Sequence, residues 1–254
     1  MTQKILAIES ATDWLSIALL EDDEVVLLSE SSETRQHASA LMPLVHAGLA
    51  KAGWGVGAID ALAVSAGPGS FTSLRIGLAT AKGLSFGRDW QAVGVSTLEA
   101  MALGAFEVQG VPSSAEVVAL LDARRGEWYA GGWSAPATAG GTDLSPGLPE
   151  GLYDPVSIAV DRKAPLVLCS PERAGWSDGF EAAGIEIAAR VDGVDARPRA
   201  DRIGRLGCAA LARGEGIPAD ELAARYLRRA EAEAKRLGGP VEAGELARVQ
   251  DAQD

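Results

Sequence analysis

From Ser65 to Gly87 the chain reads SAGPGSFTSLRIGLATAKGLSFG, in which an apolar strand end, a tight turn and a helix-forming run follow one another directly. Gly67, Pro68 and Gly69 force the turn, and Ser70 stands where a side-chain oxygen would cap the amides that open the next helix. A strand that passes straight into a helix and then into another strand, here residues 61–64, 71–86 and 91–95, makes parallel neighbours with helices lying on the sheet. The chain therefore folds as α/β.

The glycines do not complete a familiar phosphate motif. A P-loop needs a glycine, four residues and then Gly-Lys-Ser/Thr, and no such run is present. A dinucleotide fingerprint requires glycine where Thr72 stands, and a hydrolase elbow requires glycines two residues either side of Ser70. What remains is a capped turn that is either purely structural or a receiver of an anion at a helix start, with Gly67, Gly69 and Ser70 as the candidate residues. The helix it launches has two apolar sides. Phe71, Leu74, Leu78, Ala81 and Ser85 form one, whereas Ile76, Ala79, Gly83 and Phe86 form the other. One side covers the sheet, and the second requires either the preceding helix or another chain.

Upstream, apolar runs at 5–8, 15–20 and 25–28 predict three strands, the last two joined by a short polar hairpin at 21–24. Ala38, Leu41, Met42, Val45, Leu49 and Ala52 recur at helical steps and Gly53 closes that helix. Pro43 lies either in its first turn or at a kink. The first lobe thus reads βββαβαβ with a mixed five-stranded sheet, over residues 1–104.

A second, smaller lobe is expected over 105–199. Residues 117–121 and 128–133 are strand-like around the polar turn DARRGE, 134–149 reads as a surface loop, and strands at 166–169 and 185–188 flank a helix over 172–183. AIESATDWLSIALL and ALLDARRGEWYAGG share one plan, a strand with an acidic end (Glu9 or Asp122), a polar turn and a returning strand, which hints at duplication. These carboxylates, with Asp13, are either solvated turn residues or positions that could hold magnesium or water. A helix at 203–211 opens a C-terminal helical segment, 200–237, expected to pack back toward the first lobe, and 238–254 reads as a mobile tail.

Charge and composition narrow the functions. A net charge of -12 argues against a chain that grips nucleic acid by itself. The local exception is ARYLRRAEAEAKR, where Arg225, Arg228, Arg229, Lys235 and Arg236 are diluted by glutamates. The chain's two histidines, His37 and His46, are nine residues apart and do not share a helical face, so no metal-ligand pair is expected. Cys169 and Cys208 sit in apolar runs as small buried hydrophobes. With no secretory leader and no bilayer-length apolar run, the expectation is a cytoplasmic protein without a membrane partner.

The chain resembles the TsaB (YeaZ) family. The residues that carry the resemblance are ILAIESAT (5–12), QHASALMPLV (36–45), GPGSFTSLRIGLATAKGL (67–84), GVSTLEAMA (94–102), LDARRGEWYA (121–130) and ARYLR (224–228). Ser73 replaces the family's usual glycine. The resemblance implies a two-lobed actin-like (RNase H-like) ATPase fold in a non-catalytic subunit of bacterial tRNA threonylcarbamoyladenosine synthesis. It implies TsaD as main partner, TsaE as a further one, self-association when TsaD is absent, and contact with tRNA only through the complex. No catalytic residue, metal or cofactor is expected on this chain alone, with ATP or ADP at the joint between subunits. On that basis the partner interface is expected at Leu41, Val45, Leu49, Leu74, Arg75 and Leu78. The competing expectation is an autonomous actin-like ATP-dependent phosphotransferase, and a metalloprotease stands third because the histidine spacing does not suit it.

Overall fold

The computed structural model describes residues 2–31, 36–138, 140–159, 166–172 and 175–227. The chain opens with β1 (Lys4–Glu9), β2 (Ser16–Glu21) and β3 (Glu24–Glu30), an antiparallel meander, followed by α1 (His37–Ala52). Then come β4 (Ala61–Gly67), α2 (Phe71–Ser85), β5 (Gln91–Ser96) and α3 (Thr97–Phe106). β4 pairs parallel to β1 and β5 parallel to β4. The second half holds β6 (Glu116–Asp122), β7 (Trp128–Ser134), β8 (Ser145–Pro146), β9 (Gly151–Tyr153) and α4 (Pro155–Ala159). It continues through β10 (Leu166–Ser170), α5 (Asp178–Ala182), β11 (Ile187–Asp192) and α6 (Ala200–Ala212) to β12 (Ile217–Pro218).

Two mixed sheets result, in the orders β12-β5-β4-β1-β2-β3 and β11-β10-β6-β7-β8, with β9 beside β7. Each is built on an antiparallel hairpin whose first strand has a parallel neighbour that pairs in turn with a further parallel strand: β1–β2 with β4 and then β5, and β6–β7 with β10 and then β11. The same plan is thus repeated in both lobes of an α/β fold. The first sheet has six strands rather than five because the chain returns after α6 and Ile217 pairs with Ala92 on β5.

Both faces of the first sheet are covered, so β1 reads as a continuous apolar run rather than an alternating one. Leu6, Ile8, Ile17, Leu19, Leu62 and Val64 pack beneath α1 and α2. Ile5, Ala7, Ala18, Leu20, Ala61 and Ala63 pack beneath α6 on the other face, where Gly204 and Gly207 let that helix approach Leu20 and Ala63 closely. α3 lies between the two sheets and is buried on nearly every side, so one core runs from Ile5 and Ala63 through Leu98 and Met101 to Val117 and Val167. A separate core under the outer face of the second sheet gathers Val118, Leu120, Leu168 and Phe180, with Trp128 and Trp176 packed against it.

Several expectations change. The helix expected over 172–183 is only α5 within the described residues, and the strand expected at 185–188 starts and ends later, as β11. The 134–149 loop contributes β8 to the sheet edge. Within the segment expected to be helical over 200–237, α6 ends at Ala212, residues 219–221 make one 3-10 turn, and 222–227 form neither helix nor strand. The rest of that segment, the 238–254 tail, and Arg228, Arg229, Lys235 and Arg236 lie outside the described residues. Cys169 is buried but Cys208 is only half-buried, and burial pushes both thiols up to about 12. No helix among the described residues is long and apolar enough to cross a membrane.

Candidate functional site

Two surfaces compete as the site: the cleft between the lobes, and the helix pair α1–α2 on the outside of the first sheet. The cleft, about 1270 Å³, is framed by the two equivalent hairpin turns, residues 11–14 after β1 and 122–124 after β6, and by Gly69 and Ser70 at the start of α2. Among its described lining residues are the carboxylates Asp13, Asp122 and Glu172, the single cation Arg124, and the rings of Trp14, Trp128, Tyr129 and Trp176. Arg124 is already engaged, since its guanidinium reaches Asp122 Oδ2 at 3.1 Å while its amide donates to Asp122 Oδ1 at 2.7 Å.

The first turn is organised differently. Glu9, at the end of β1, is completely buried. Its Oε1 accepts from the Ala11 amide at 2.6 Å, and its Oε2 has no hydrogen-bond partner. Burial pushes the Glu9 carboxyl up to about 7, against the smaller opposing pull of the Ala11 amide and the Ser65 hydroxyl. Asp122, at the matching position of the second lobe, is instead partly exposed and ion-paired. Thr12, beside Glu9 and lining the cleft, keeps a buried hydroxyl with no hydrogen-bond partner.

The glycine turn is spent on the protein itself. A Cβ at Gly69 would collide with the Ala11 carbonyl, and the Ser70 amide donates to that same oxygen at 2.7 Å. Gly67 has φ 114, in the left-handed region, and a Cβ there would sit 2.8 Å from the Arg225 carbonyl oxygen. Ser70 caps α2 as expected, accepting from the Ser73 amide at 3.4 Å. Ser73, the departure from the family pattern, places its hydroxyl 3.1 Å from that of Ser70, and its carbonyl accepts from the Ser10 hydroxyl at 3.1 Å. Gly69 and Ser70 do line the cleft, whereas Gly67 is covered by the returning C-terminal chain.

Five of the six expected interface residues are buried within this chain. Leu41, Val45, Leu49 and Leu78 belong to the core between the helix pair and the sheet, and Leu74 is buried beside Gly67. The physical reason is that the richest apolar stripe of each helix goes to its own sheet, so it has no area left for a partner. Of the six, only Arg75 is exposed. Its guanidinium lies 3.7 Å over the Phe71 ring and its Nε donates to Tyr226 Oη at 3.2 Å. The outward side of the pair includes Met42, 47% exposed, with Ala38, Ser39, Pro43, His46, Ala47 and Ala50 on α1, and Thr72, Ala79 and Gly83 on α2, ending at Phe86, which is 90% exposed. His37 is buried at the start of α1 while His46 is exposed, and among the described residues no three His, Cys, Asp or Glu side chains gather in a metal-binding group.

Sequence reasoning missed α3, whose buried positions leave no polar stripe to reveal a period, and the docking of residues 222–226 along β4 and α2.

Comparison with known proteins places this geometry in a family. The family model described as "TsaD: tRNA N6-adenosine threonylcarbamoyltransferase" matches residues 29–155. The tRNA threonylcarbamoyladenosine biosynthesis protein TsaB of Escherichia coli is 42% identical over 126 residues, 50% of this chain and 53% of that protein. Its Haemophilus influenzae counterpart is 40% identical over 125 residues, 49% of this chain and 51% of that protein. The matched region thus spans about half the length of these curated relatives. A solved Pseudomonas aeruginosa structure, described as an uncharacterized protein with similarity to peptidase YEAZ, superposes with TM-score 0.77 at 30% identity. It covers 89% of this chain and 100% of that one. With the two-lobed fold, the capped glycine turn and these likenesses together, the chain belongs to the TsaB (YeaZ) family.

Proposed function

We propose that this chain is a non-catalytic accessory subunit in tRNA threonylcarbamoyladenosine biosynthesis, which binds and stabilises a TsaD-type partner that performs the transfer onto the adenosine next to the anticodon. The observation that carries this reading is the outward side of α1–α2, where Met42, Ala79 and Phe86 lie exposed beside small residues that permit close helix approach. The contact is moved from the buried leucines to this outer side, and Arg75 stays at its edge. TsaE joins through the partner, self-association uses the same helices when the partner is absent, and tRNA is reached only through the complex. The cytoplasm is the compartment that such a role requires.

The chemistry of the cleft agrees with that division of labour. A polyphosphate placed among Asp13, Asp122 and Glu172 would meet three carboxylates and one cation already paired with Asp122. The α2 amides nearest it are also partly spent, on Ala11 and on the Ser70 hydroxyl. A nucleotide, ATP or ADP, belongs in this reading to the joint with the partner, where the partner supplies the cations. The alternative, an autonomous ATP-dependent phosphotransferase, draws on the size of the cleft and on the acidic residues at its two hairpin turns. Reconstitution separates the two. The accessory reading predicts that tRNA modification by the remaining components depends on this chain and that the chain alone neither modifies tRNA nor turns over ATP. ATP hydrolysis by the isolated chain would favour the alternative.

A further inference from the structure

After α6 the chain does not leave the first lobe. Ile217 and Pro218 pair with β5, Ala219 and Leu222 are buried against the core beneath α1 and α2, and Lys82 Nζ donates to the Asp220 carbonyl at 2.7 Å. Residues 217–222 are therefore fixed by strand pairing and apolar burial.

The next few residues have less apolar burial: Ala223 is exposed, and Ala224 is only partly buried against the edge of the same core. The Arg225 amide donates to the Ala66 carbonyl at 2.7 Å, where β4 is about to enter the glycine turn. The Arg225 carbonyl lies over Gly67, at a site that only glycine leaves open. Tyr226 sets its ring 4.9 Å from that of Phe71 and takes a hydrogen bond from Arg75 Nε. The Arg225 guanidinium comes within 3.5 Å of Glu150 Oε2 on the second lobe, an ion-pair contact without hydrogen-bond alignment. Two consecutive residues thus touch the exit of β4, the first turns of α2 and the opposite lobe at once.

We infer that residues 223–227 form a clip, which undocks as a unit from the Phe71–Arg75 corner while residues 217–222 stay in place, and which, when docked, sets the Gly67–Ser70 turn against both lobes. The asymmetry of the contacts is the reason. Leu222 is 2% exposed, whereas the Arg225 side chain is 54% exposed and rests on a solvent-screened ion pair. Segments with few buried apolar contacts open locally without the rest of the fold. Undocking uncovers Phe71 and releases Arg75, so the clip also decides what the N-terminal end of α2 presents to solvent. All of these contacts lie within the chain, so the inference goes beyond the accessory-subunit reading and does not depend on it.

Amide hydrogen exchange on the full chain, with no partner present, tests the clip. In Tyr226→Ala the Arg225 amide should lose about tenfold protection, the cost of a lost ring contact and hydrogen bond, while the Leu78 amide inside α2 is unchanged. The Ser70 amide, which donates to Ala11, should move in the same direction as Arg225. Tyr226→Phe, which keeps the ring and removes only the acceptor, should give a smaller loss at Arg225 with Leu78 again unchanged, and it serves as the test if the alanine variant does not fold. Unchanged protection at Arg225 in the folded variants, or loss at Arg225 only in step with Leu78, would overturn the inference.

Discussion

The two sides of α2 share one stretch of sequence and have opposite physical roles. On the inner side Leu74, Gly77, Leu78 and Ala81 press onto the sheet so closely that a Cβ at Gly77 would strike the Ser10 hydroxyl. On the outer side Thr72, Ala79, Gly83 and Phe86 face solvent. Close packing makes the inner side intolerant of any change in volume. The outer side is exposed among the described residues, so substitution there should alter association without altering folding. The proposed partner contact is therefore tested on the side whose loss the fold survives.

The largest expected effect lies on the inner side. Leu78→Ala removes a buried side chain from the core that also holds Leu41, Val45 and Leu49, and should cost about 2–5 kcal/mol in urea unfolding. An effect below about 0.5 kcal/mol would mean that α2 does not pack on the sheet through this stripe.

Next comes Glu9, completely buried at the end of β1. Its carboxyl is raised from 4.5 in the unfolded chain to about 7 in the fold, so between those values the native state holds more protons than the unfolded one. The resulting stability is present in full below pH 4.5 and is lost as pH rises through about 7, a decline of about 3 kcal/mol. Glu9→Gln, which is neutral throughout, should flatten this part of the stability profile and leave the variant the more stable form at pH 8. Equal pH slopes for the two proteins would show that Glu9 is solvated or paired in solution.

Much of this was legible in the sequence because periodicity reports burial. The strands of the first lobe, α1, α2 and the Ser70 cap all follow from patterns a few residues long. Periodicity does not report what does the burying. A leucine stripe that faces a sheet and one that faces another chain look alike, so the pattern of Leu41, Val45, Leu49, Leu74 and Leu78 fits a partner contact as well as the core in which they are buried, and Ala79 and Phe86 carry no comparable stripe. α3 escaped for the opposite reason: Leu98, Ala100, Met101, Ala102 and Leu103 are all buried, so there is no polar face to set a period. The docking of Arg225 on Ala66 and of Tyr226 on Phe71 joins residues more than 150 positions apart through backbone and ring contacts, and no local pattern encodes it. Glu9 and Asp122 were recognised as equivalent, yet one is buried and the other ion-paired, because the turns that follow them differ: Arg124 accompanies Asp122 and has no counterpart after Glu9.

The smallest expected effect on stability accompanies the most direct test of the account. Ala79→Arg places a long charged side chain on the exposed side of α2 and should change the unfolding midpoint of the chain alone by no more than about 0.5 kcal/mol in stability. Co-purification of this variant with a TsaD-type partner, compared with the unmodified chain, is the deciding measurement. A folded variant that no longer retains the partner is the predicted result, and undiminished retention would contradict the placement of the subunit contact on this helix face.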